Sequence, residues 1–278
     1  MPADIDAAVL ANTRLSEDYC VISLDAPEIA ALAQPGQFVM VKPARGTDPL
    51  LRRPFSIFEI LRDANGAPAG ITLLNKRIGV GTGLIYDAEP GARMACLGPL
   101  GQPFEPVDAP AEAWMVAGGV GLAPFATLAE ALHARGTKST LFYGARRASE
   151  LYYVDVFETL GVKVVLTTED GSRGIKGRVT VPLEQALRER HGQSVQMYVC
   201  GPTPMMKAVA DLAAAHHCAC DVSLEQVMGC GLGGCYSCVV LTMDHGSAPH
   251  FVRSCLDGPV FDSRRIIHGN RQPVDRPL

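Results

Sequence analysis

Met228-Gly229-Cys230-Gly231-Leu232-Gly233-Gly234-Cys235-Tyr236-Ser237-Cys238, joined downstream by Cys255, is the stretch whose reading decides the architecture. Four residues separate Cys230 from Cys235, and two separate Cys235 from Cys238. This is the plant-type spacing of a [2Fe–2S] site, in which one tight loop supplies three thiolates and a distant segment the fourth. Gly231, Gly233 and Gly234 suit such a loop, which needs backbone at positive φ and N–H groups close to sulfur. A structural zinc site and disulfides are the rival readings. Zinc sites usually pair their ligands as two short CxxC-like units, whereas one loop here offers three. Disulfides belong to oxidising compartments. The opening MPADIDAA carries neither the basic nor the apolar region of a secretory signal. The chain's 9 cysteines then read as thiols of a reducing, cytoplasmic setting, serving as ligands or in the core.

Outward from this loop, the 278 residues have room for two domains and a small third. The net charge of −4 and the lack of a Lys/Arg run argue against nucleic acid as a partner. The longest charge-free run, Ala113 to Ala129, is short and broken by Gly118, Gly119, Gly121 and Pro124, so no membrane span is expected. Residues 1–108 read as β, with candidates at 19–24, 38–42, 55–61 and 70–76 punctuated by Gly and Pro. Many short strands of this kind predict an antiparallel barrel or sandwich. From residue 109 the pattern changes. Apolar runs at 114–117, 140–143, 163–167 and 195–199 alternate with helical stretches at 123–135, 149–160, 181–191 and 204–217. That alternation predicts a parallel sheet built from βαβ units over 109–220. Residues 221–262 form a small cysteine-loop domain, and 263–278 a polar tail.

Four further motifs carry candidate chemistry. Arg52-Arg53-Pro54-Phe55-Ser56 offers a guanidinium for a pyrophosphate and a hydroxyl for a ring heteroatom; a solvated charge before a strand is the plainer reading. Leu74-Asn75-Lys76 runs into Gly79-Val80-Gly81-Thr82, which can hold phosphate oxygens or simply form a hairpin. Gly118-Gly119-Val120-Gly121 follows a strand and opens a helix, the setting of a dinucleotide phosphate loop. Its spacing departs from GxGxxG, and a tight β–α turn is the alternative. Cys200-Gly201-Pro202 ends another strand, where ligands of open α/β sheets bind, although a thiol there is also ordinary packing. Cys20, Cys96, Cys218 and Cys220 lack any such context.

Taken together, RPFS, GxGT, GGVGLAP and CGP in that order resemble the ferredoxin–NADP⁺ reductase superfamily. With CGLGGCYSC and SCLDGPVF appended, the chain from Ala8 to Phe261 resembles one branch, the electron-transfer subunits of type B dihydroorotate dehydrogenases. The resemblance implies an FAD-binding antiparallel barrel, a nicotinamide-binding parallel-sheet domain and a small C-terminal [2Fe–2S] domain. By it, Arg53 contacts the FAD pyrophosphate, Ser56 the flavin N5 region, and Pro54 and Phe55 complete that motif. Leu74, Asn75 and Lys76 line the cofactor, and Gly81 and Thr82 bind its phosphates. Gly118, Gly119, Gly121, Cys200, Gly201 and Pro202 shape the NAD site, and Cys230, Cys235, Cys238 and Cys255 ligate the cluster. Many members carry Tyr where Phe55 stands, so the hydroxyl contact to the flavin is missing. The implied partner is an FMN-containing catalytic chain, in a heterotetramer of two copies of each. The alternative is an NAD(P)H–ferredoxin or sulfur reductase subunit; some relatives of that kind replace the first cysteine, and Cys230 argues against those. Nucleotide choice is open, since Arg146 and Arg147 suit a 2′-phosphate while Glu150 and Asp170 oppose it. Leu232 and Tyr236 are expected at the surface that meets the partner, with internal packing against the FAD domain as the alternative.

Overall fold

The computed structural model describes residues 1–43, 46–190, 192–244 and 246–267. The expected tail from 268 onward, and His191, lie outside the described residues.

Seven strands build the first layer: β1 (Ala3–Arg14), β2 (Tyr19–Asp25), β3 (Phe38–Lys42), β4 (Arg53–Ser56), β5 (Glu59–Arg62), β6 (Pro68–Lys76) and β7 (Arg93–Leu100). They pair antiparallel in the order β4-β3-β7-β1-β2-β6-β5, and the sheet curls so that β4 approaches β6. Its interior is aliphatic, with Ile22, Leu24, Val39, Val41, Ile71 and Leu73 buried on alternating positions. The single strand expected over 55–61 is two strands. Ile57 and Phe58 are fully buried between them, so the chain turns inward there instead of continuing one ladder. A short α1 (Pro27–Ala30) and α2 (Val80–Tyr86) complete this half. The glycine stretch ahead of Thr82 therefore opens a helix and is not a hairpin.

The second layer contains β8 (Glu112–Gly118), β9 (Ser139–Ala145), β10 (Lys163–Thr168), β11 (Ile175–Lys176), β12 (Val195–Cys200), β13 (Ala219–Ser223) and, at the far edge, β16 (Val260–Asp262). The order is β11-β10-β9-β8-β12-β13-β16, parallel throughout except for β16, which runs antiparallel to β13. Helices α3 (Phe125–Ala134), α4 (Val154–Thr159), α5 (Thr180–Glu189) and α6 (Thr203–Ala215) make the crossovers. The helix expected over 149–160 is broken: Leu151 is buried, and Tyr153 adopts a left-handed φ of 57° before α4 begins. The sheet order reverses direction at β8, so the carboxyl ends of β8 and β12 lie at the topological switch point.

The cysteine segment leaves this sheet after β13, forms the hairpin β14 (Val239–Thr242) and β15 (His250–Arg253), passes through α7 (Ser254–Asp257), and returns as β16. The boundary expected after Cys220 falls inside β13. Phe104 bridges the halves, stacking on Phe125 at 5.8 Å and meeting Tyr198 edge-on at 5.3 Å. Among the described residues, no helix is long and apolar enough to cross a membrane.

Candidate functional site

The flavin-side motifs, more than twenty residues apart in sequence, meet in space. A Cβ added at Gly81 lies 3.5 Å from Arg53 Cγ, so the first turn of α2 is laid directly over the Arg53 side chain. Arg53 Nη1 donates to the Leu51 carbonyl at 3.1 Å. The Thr82 hydroxyl accepts the N–H groups of Ile78 and Gly79 at 2.9 and 3.0 Å, closing the helix start. Thr82 therefore shapes this loop, with its oxygen already engaged. Asn75 has a fully buried side chain whose Nδ2 donates to the Thr82 carbonyl at 3.1 Å, tying β6 to α2. Its neighbour Leu74 is also buried, and Lys76 lies over the Tyr19 ring at 5.1 Å. Arg14 and Arg77 stack on the Tyr86 ring, so this edge of the barrel is cationic. Asn75 Oδ1 and Arg52 Nη1 are buried without a hydrogen-bond partner among the described residues. The unpaired Asn75 oxygen can accept from a ligand N–H, and Arg53 beside the Gly81 turn can meet a phosphate, a donor set that fits a flavin dinucleotide.

The nucleotide-side motifs meet as well. A Cβ on Gly121 lands 2.3 Å from the Cys200 carbonyl oxygen, so only glycine lets the two loops touch. Gly201 stands at φ 154°, and added Cβ atoms at Gly118 and Gly201 both strike Met205, each at 2.7 Å. The result is a close-packed cradle of backbone at the switch point, the geometry a dinucleotide phosphate needs. Pro202 precedes α6 and helps close the cradle over Gly118. Burial pushes the Cys200 thiol up to about 12, with Glu225 adding to that and Ser223 opposing it. Cys200 is thus a neutral wall of the site and not a thiolate nucleophile. Met205, Ser223 and Glu225 were not singled out from the sequence, since nothing in their spacing marks them. At the outer ends of β9 and β10, Arg147 pairs with Glu150 at 3.2 Å and Asp170 accepts the Ser172 N–H and hydroxyl at 2.9 and 2.6 Å.

The cysteine loop lies on the barrel. Cys238 and Cys255 are buried in one cluster with Phe38, Met40, Leu97, Leu100 and Met228. Gly231, at φ 74°, brings the loop so close that a Cβ would lie 2.5 Å from Met40 Cγ. The thiols contact one another in two pairs, Cys235 with Cys230 and Cys255 with Cys238. Hydrogen bonds from Ser237, with Cys230 second, hold the Cys235 thiol down at about 6, whereas burial pushes Cys255 up to about 12. The Leu232 N–H points at Cys230 Sγ at 3.3 Å. Among the described residues, no three His, Cys, Asp or Glu side chains stand ready for a single metal ion. Four neighbouring thiols with backbone N–H groups aimed at sulfur would suit a two-iron cluster. Cys20, Cys96, Cys218 and Cys220 are buried free thiols away from this group.

A barrel bearing RPFS, a parallel sheet with glycine loops at its switch point and a four-cysteine segment define a class: reductases of the ferredoxin–NADP⁺ reductase fold that carry an iron–sulfur domain. The comparisons agree. Residues 115–211 match the oxidoreductase NAD-binding domain, and residues 225–267 match the iron–sulfur cluster binding domain of dihydroorotate dehydrogenase B. The electron transfer subunit of dihydroorotate dehydrogenase B (NAD(+)) from Desulforamulus reducens is 38% identical, over 94% of this chain and 97% of its own. The Geobacillus kaustophilus subunit is 34% identical, over 93% and 96%. An NADH-dependent reduced ferredoxin–NADP oxidoreductase, solved in connection with flavin-based electron bifurcation, superposes with a TM-score of 0.82 at 27% identity, covering 96% of this chain and 91% of its own. The ferredoxin reductase of carbazole 1,9a-dioxygenase shares the fold, with a TM-score of 0.67 at 22% identity, over 78% of this chain and 67% of its own. The chain belongs to the family of dihydroorotate dehydrogenase B (NAD(+)) electron transfer subunits. It is an oxidoreductase electron-transfer subunit with an NAD-binding and an iron–sulfur domain.

Proposed function

We propose that this chain passes electrons from dihydroorotate oxidation, carried out on an FMN-containing partner subunit, through a [2Fe–2S] cluster and FAD to NAD⁺ in pyrimidine biosynthesis. The observation that carries this reading is the position of β3. Its Met40 lies under the cysteine loop, while Met40 and Phe38 pair across the ladder with Pro54 and Ser56 of the flavin motif. One strand thus links the cysteine loop to the flavin motif, and the exposure of Leu232 and Tyr236 on that loop supports docking of a second protein there.

FAD, when bound, supplies the conversion between single-electron transfer and two-electron hydride exchange. Arg53 would hold its pyrophosphate, and Ser56 with Pro54 and Phe55 would contact the flavin N5 region. Leu74, Asn75 and Lys76 support the cofactor, with Asn75 acting through the loop of Gly81 and Thr82. Gly118, Gly119, Gly121, Cys200, Gly201 and Pro202 hold the nicotinamide dinucleotide. Cys230, Cys235, Cys238 and Cys255 would ligate the [2Fe–2S] cluster. We assign residues 1–108, 109–220 and 221–262 to the FAD, NAD and cluster units, followed by a tail of residues 263–278, with β13 shared between the second and third units. The assembly is a cytoplasmic heterotetramer of two copies of each chain, and NAD⁺ is preferred over NADP⁺. The likeness to the ferredoxin–NADP oxidoreductase favours a second reading, a subunit that exchanges electrons with ferredoxin.

Co-purification with the partner tests the choice. The complex reduces NAD⁺ with dihydroorotate, whereas the isolated chain passes electrons from NADH to a dye and leaves dihydroorotate untouched. Ferredoxin reduction without any dihydroorotate-linked activity in the complex establishes the second reading instead.

A further inference from the structure

The two halves are joined by a line of tyrosines that no motif predicts. Tyr143, fully buried on β9, points its hydroxyl at the Gly119 carbonyl at 3.5 Å and the Glu150 carbonyl at 3.2 Å. Its oxygen also takes the Tyr152 N–H. One side chain therefore underlies both loops that edge the nucleotide site. The chain then runs out of the sheet through buried Leu151 to Tyr152 and Tyr153. Tyr152 donates to Ser16 Oγ at 3.0 Å and packs its ring 5.0 Å from that of Tyr19. Tyr153, at a left-handed φ of 57°, sets its ring edge-on to Phe58 at 4.8 Å. Ser16 lies in the turn between β1 and β2, and its carbonyl accepts the Tyr86 hydroxyl at 2.8 Å. Tyr86 ends α2, the helix that begins over Arg53. An unbroken series of contacts thus runs from the Gly119 loop, through Tyr143, Tyr152, Ser16 and Tyr86, to the flavin-side helix.

We propose that Tyr152 is a positioning residue of hydride exchange, clamping the nucleotide-binding loops to the flavin barrel so that dinucleotide binding is felt at the β1–β2 turn. The proposal rests on the assignment of the two sites above. A left-handed non-glycine residue in mid-connection is a conformation that the surrounding packing must impose, and here it delivers two adjacent rings to the barrel. The halves already share a buried cluster in which Val21, Phe58, Leu74 and Phe104 meet Phe125, Tyr143 and Tyr198, and hydride exchange loses rate steeply when donor and acceptor drift by an ångström. A hydrogen-bonded aromatic clamp opposes that drift.

The test is hydrogen exchange on the full chain with and without NAD⁺, for the native protein, Tyr152→Phe and Tyr152→Ala. In the native protein NAD⁺ slows exchange in residues 119–122 and also in the 14–19 turn. Tyr152→Ala keeps the first effect and loses the second, and its rate of FAD reduction at saturating NADH falls about tenfold while FAD and iron contents hold. Tyr152→Phe, which keeps the ring and lacks the hydroxyl, falls between the two and decides the matter if Tyr152→Ala loses its flavin. Retained protection of the turn in both variants overturns the proposal, as does a native turn indifferent to NAD⁺. If NAD⁺ protects nothing, including residues 119–122, the assignment of the nucleotide site fails first and the clamp falls with it.

Discussion

Cys235 is the most exposed of the four clustered thiols, and its hydrogen bonds come from Ser237 and Cys230. Cys238 and Cys255 sit in the barrel contact and keep a packing role even without iron. Replacing Cys235 with Ser should therefore remove the cluster and leave the fold and FAD in place. Iron analysis and the visible spectrum read this directly; two irons per chain in the variant exclude Cys235 from the ligand set. Arg53 differs, because its neighbours in the fold are backbone carbonyls and the Gly81 turn. Arg53→Ala should weaken FAD binding by roughly 1.5–3 kcal/mol, about one to two decades in affinity, through loss of charge-assisted contacts. A titration of apoprotein with FAD measures it, and an unchanged dissociation constant reduces Arg53 to a surface charge. Cys235 was legible from residue type and spacing, whereas Arg53 alone reads as a solvated charge and gained its expected role only from the family resemblance. Asn75 was legible only as part of a motif; its buried amide and its bond to Thr82 are properties of packing.

At the scale of elements, the β13–β16 pairing places Asp221 directly across from Asp262. Arg264 is committed to Asp262, with three side-chain contacts of 2.9, 3.0 and 2.5 Å. Asp221 is left with burial as its main influence, then the Asp262 charge, against a smaller pull from Arg264 and a further push from Glu105; its carboxyl rises from 3.8 to about 6. The fold therefore binds this proton more tightly than the unfolded chain does. The cost of ionising Asp221 is absent near pH 4, grows through the interval up to about 6, and is complete above it. Asp221→Asn, which can still accept from Gln196 at that position, should raise stability by about 1–2 kcal/mol at pH 8, a figure discounted because the group keeps some solvent. The gain should vanish at pH 4. Denaturant titrations at the two pH values check it, and an equal gain at both shows that the effect is not one of charge. The strands themselves were mostly visible in their apolar runs. The split of 55–61 and the break at Leu151–Tyr153 were not, because local propensity does not register which half of the molecule a buried residue will meet.

For the whole molecule, the exposed face of the cysteine loop is where we place the docking of the catalytic partner. Leu232 is 55% and Tyr236 62% exposed, although Gly231 beside them packs on Met40. Tyr236 takes a left-handed φ of 57°, and Arg253 lies over its ring at 5.0 Å while bonding the Gly233 carbonyl at 3.0 Å. Asp tolerates that backbone region better than most residues, and it keeps a partner in Arg253. Tyr236→Asp should therefore preserve the loop, the iron content and NADH–dye activity, and lower dihydroorotate-linked NAD⁺ reduction by at least tenfold, in keeping with aromatic hot spots at interface centres. Parallel assays of the two activities decide it; if both fall together, Tyr236 supports the cluster fold rather than the docking face.

The sequence alone determined the set of parts: the order of barrel, parallel sheet and cysteine segment, and the residue types at each motif. Those follow from spacing, periodicity and the placement of Gly and Pro, all of which act over a few neighbouring residues. Only the tertiary structure decided how the parts meet. It set the cysteine loop against Met40 and Leu100, returned Val260–Asp262 to the edge of the second sheet, and ran the tyrosine clamp from Tyr143 to Tyr86. Each of these joins residues tens to hundreds of positions apart. Such contacts arise from sheet register and from the burial of apolar surface as the whole chain closes, and no short window of sequence encodes them.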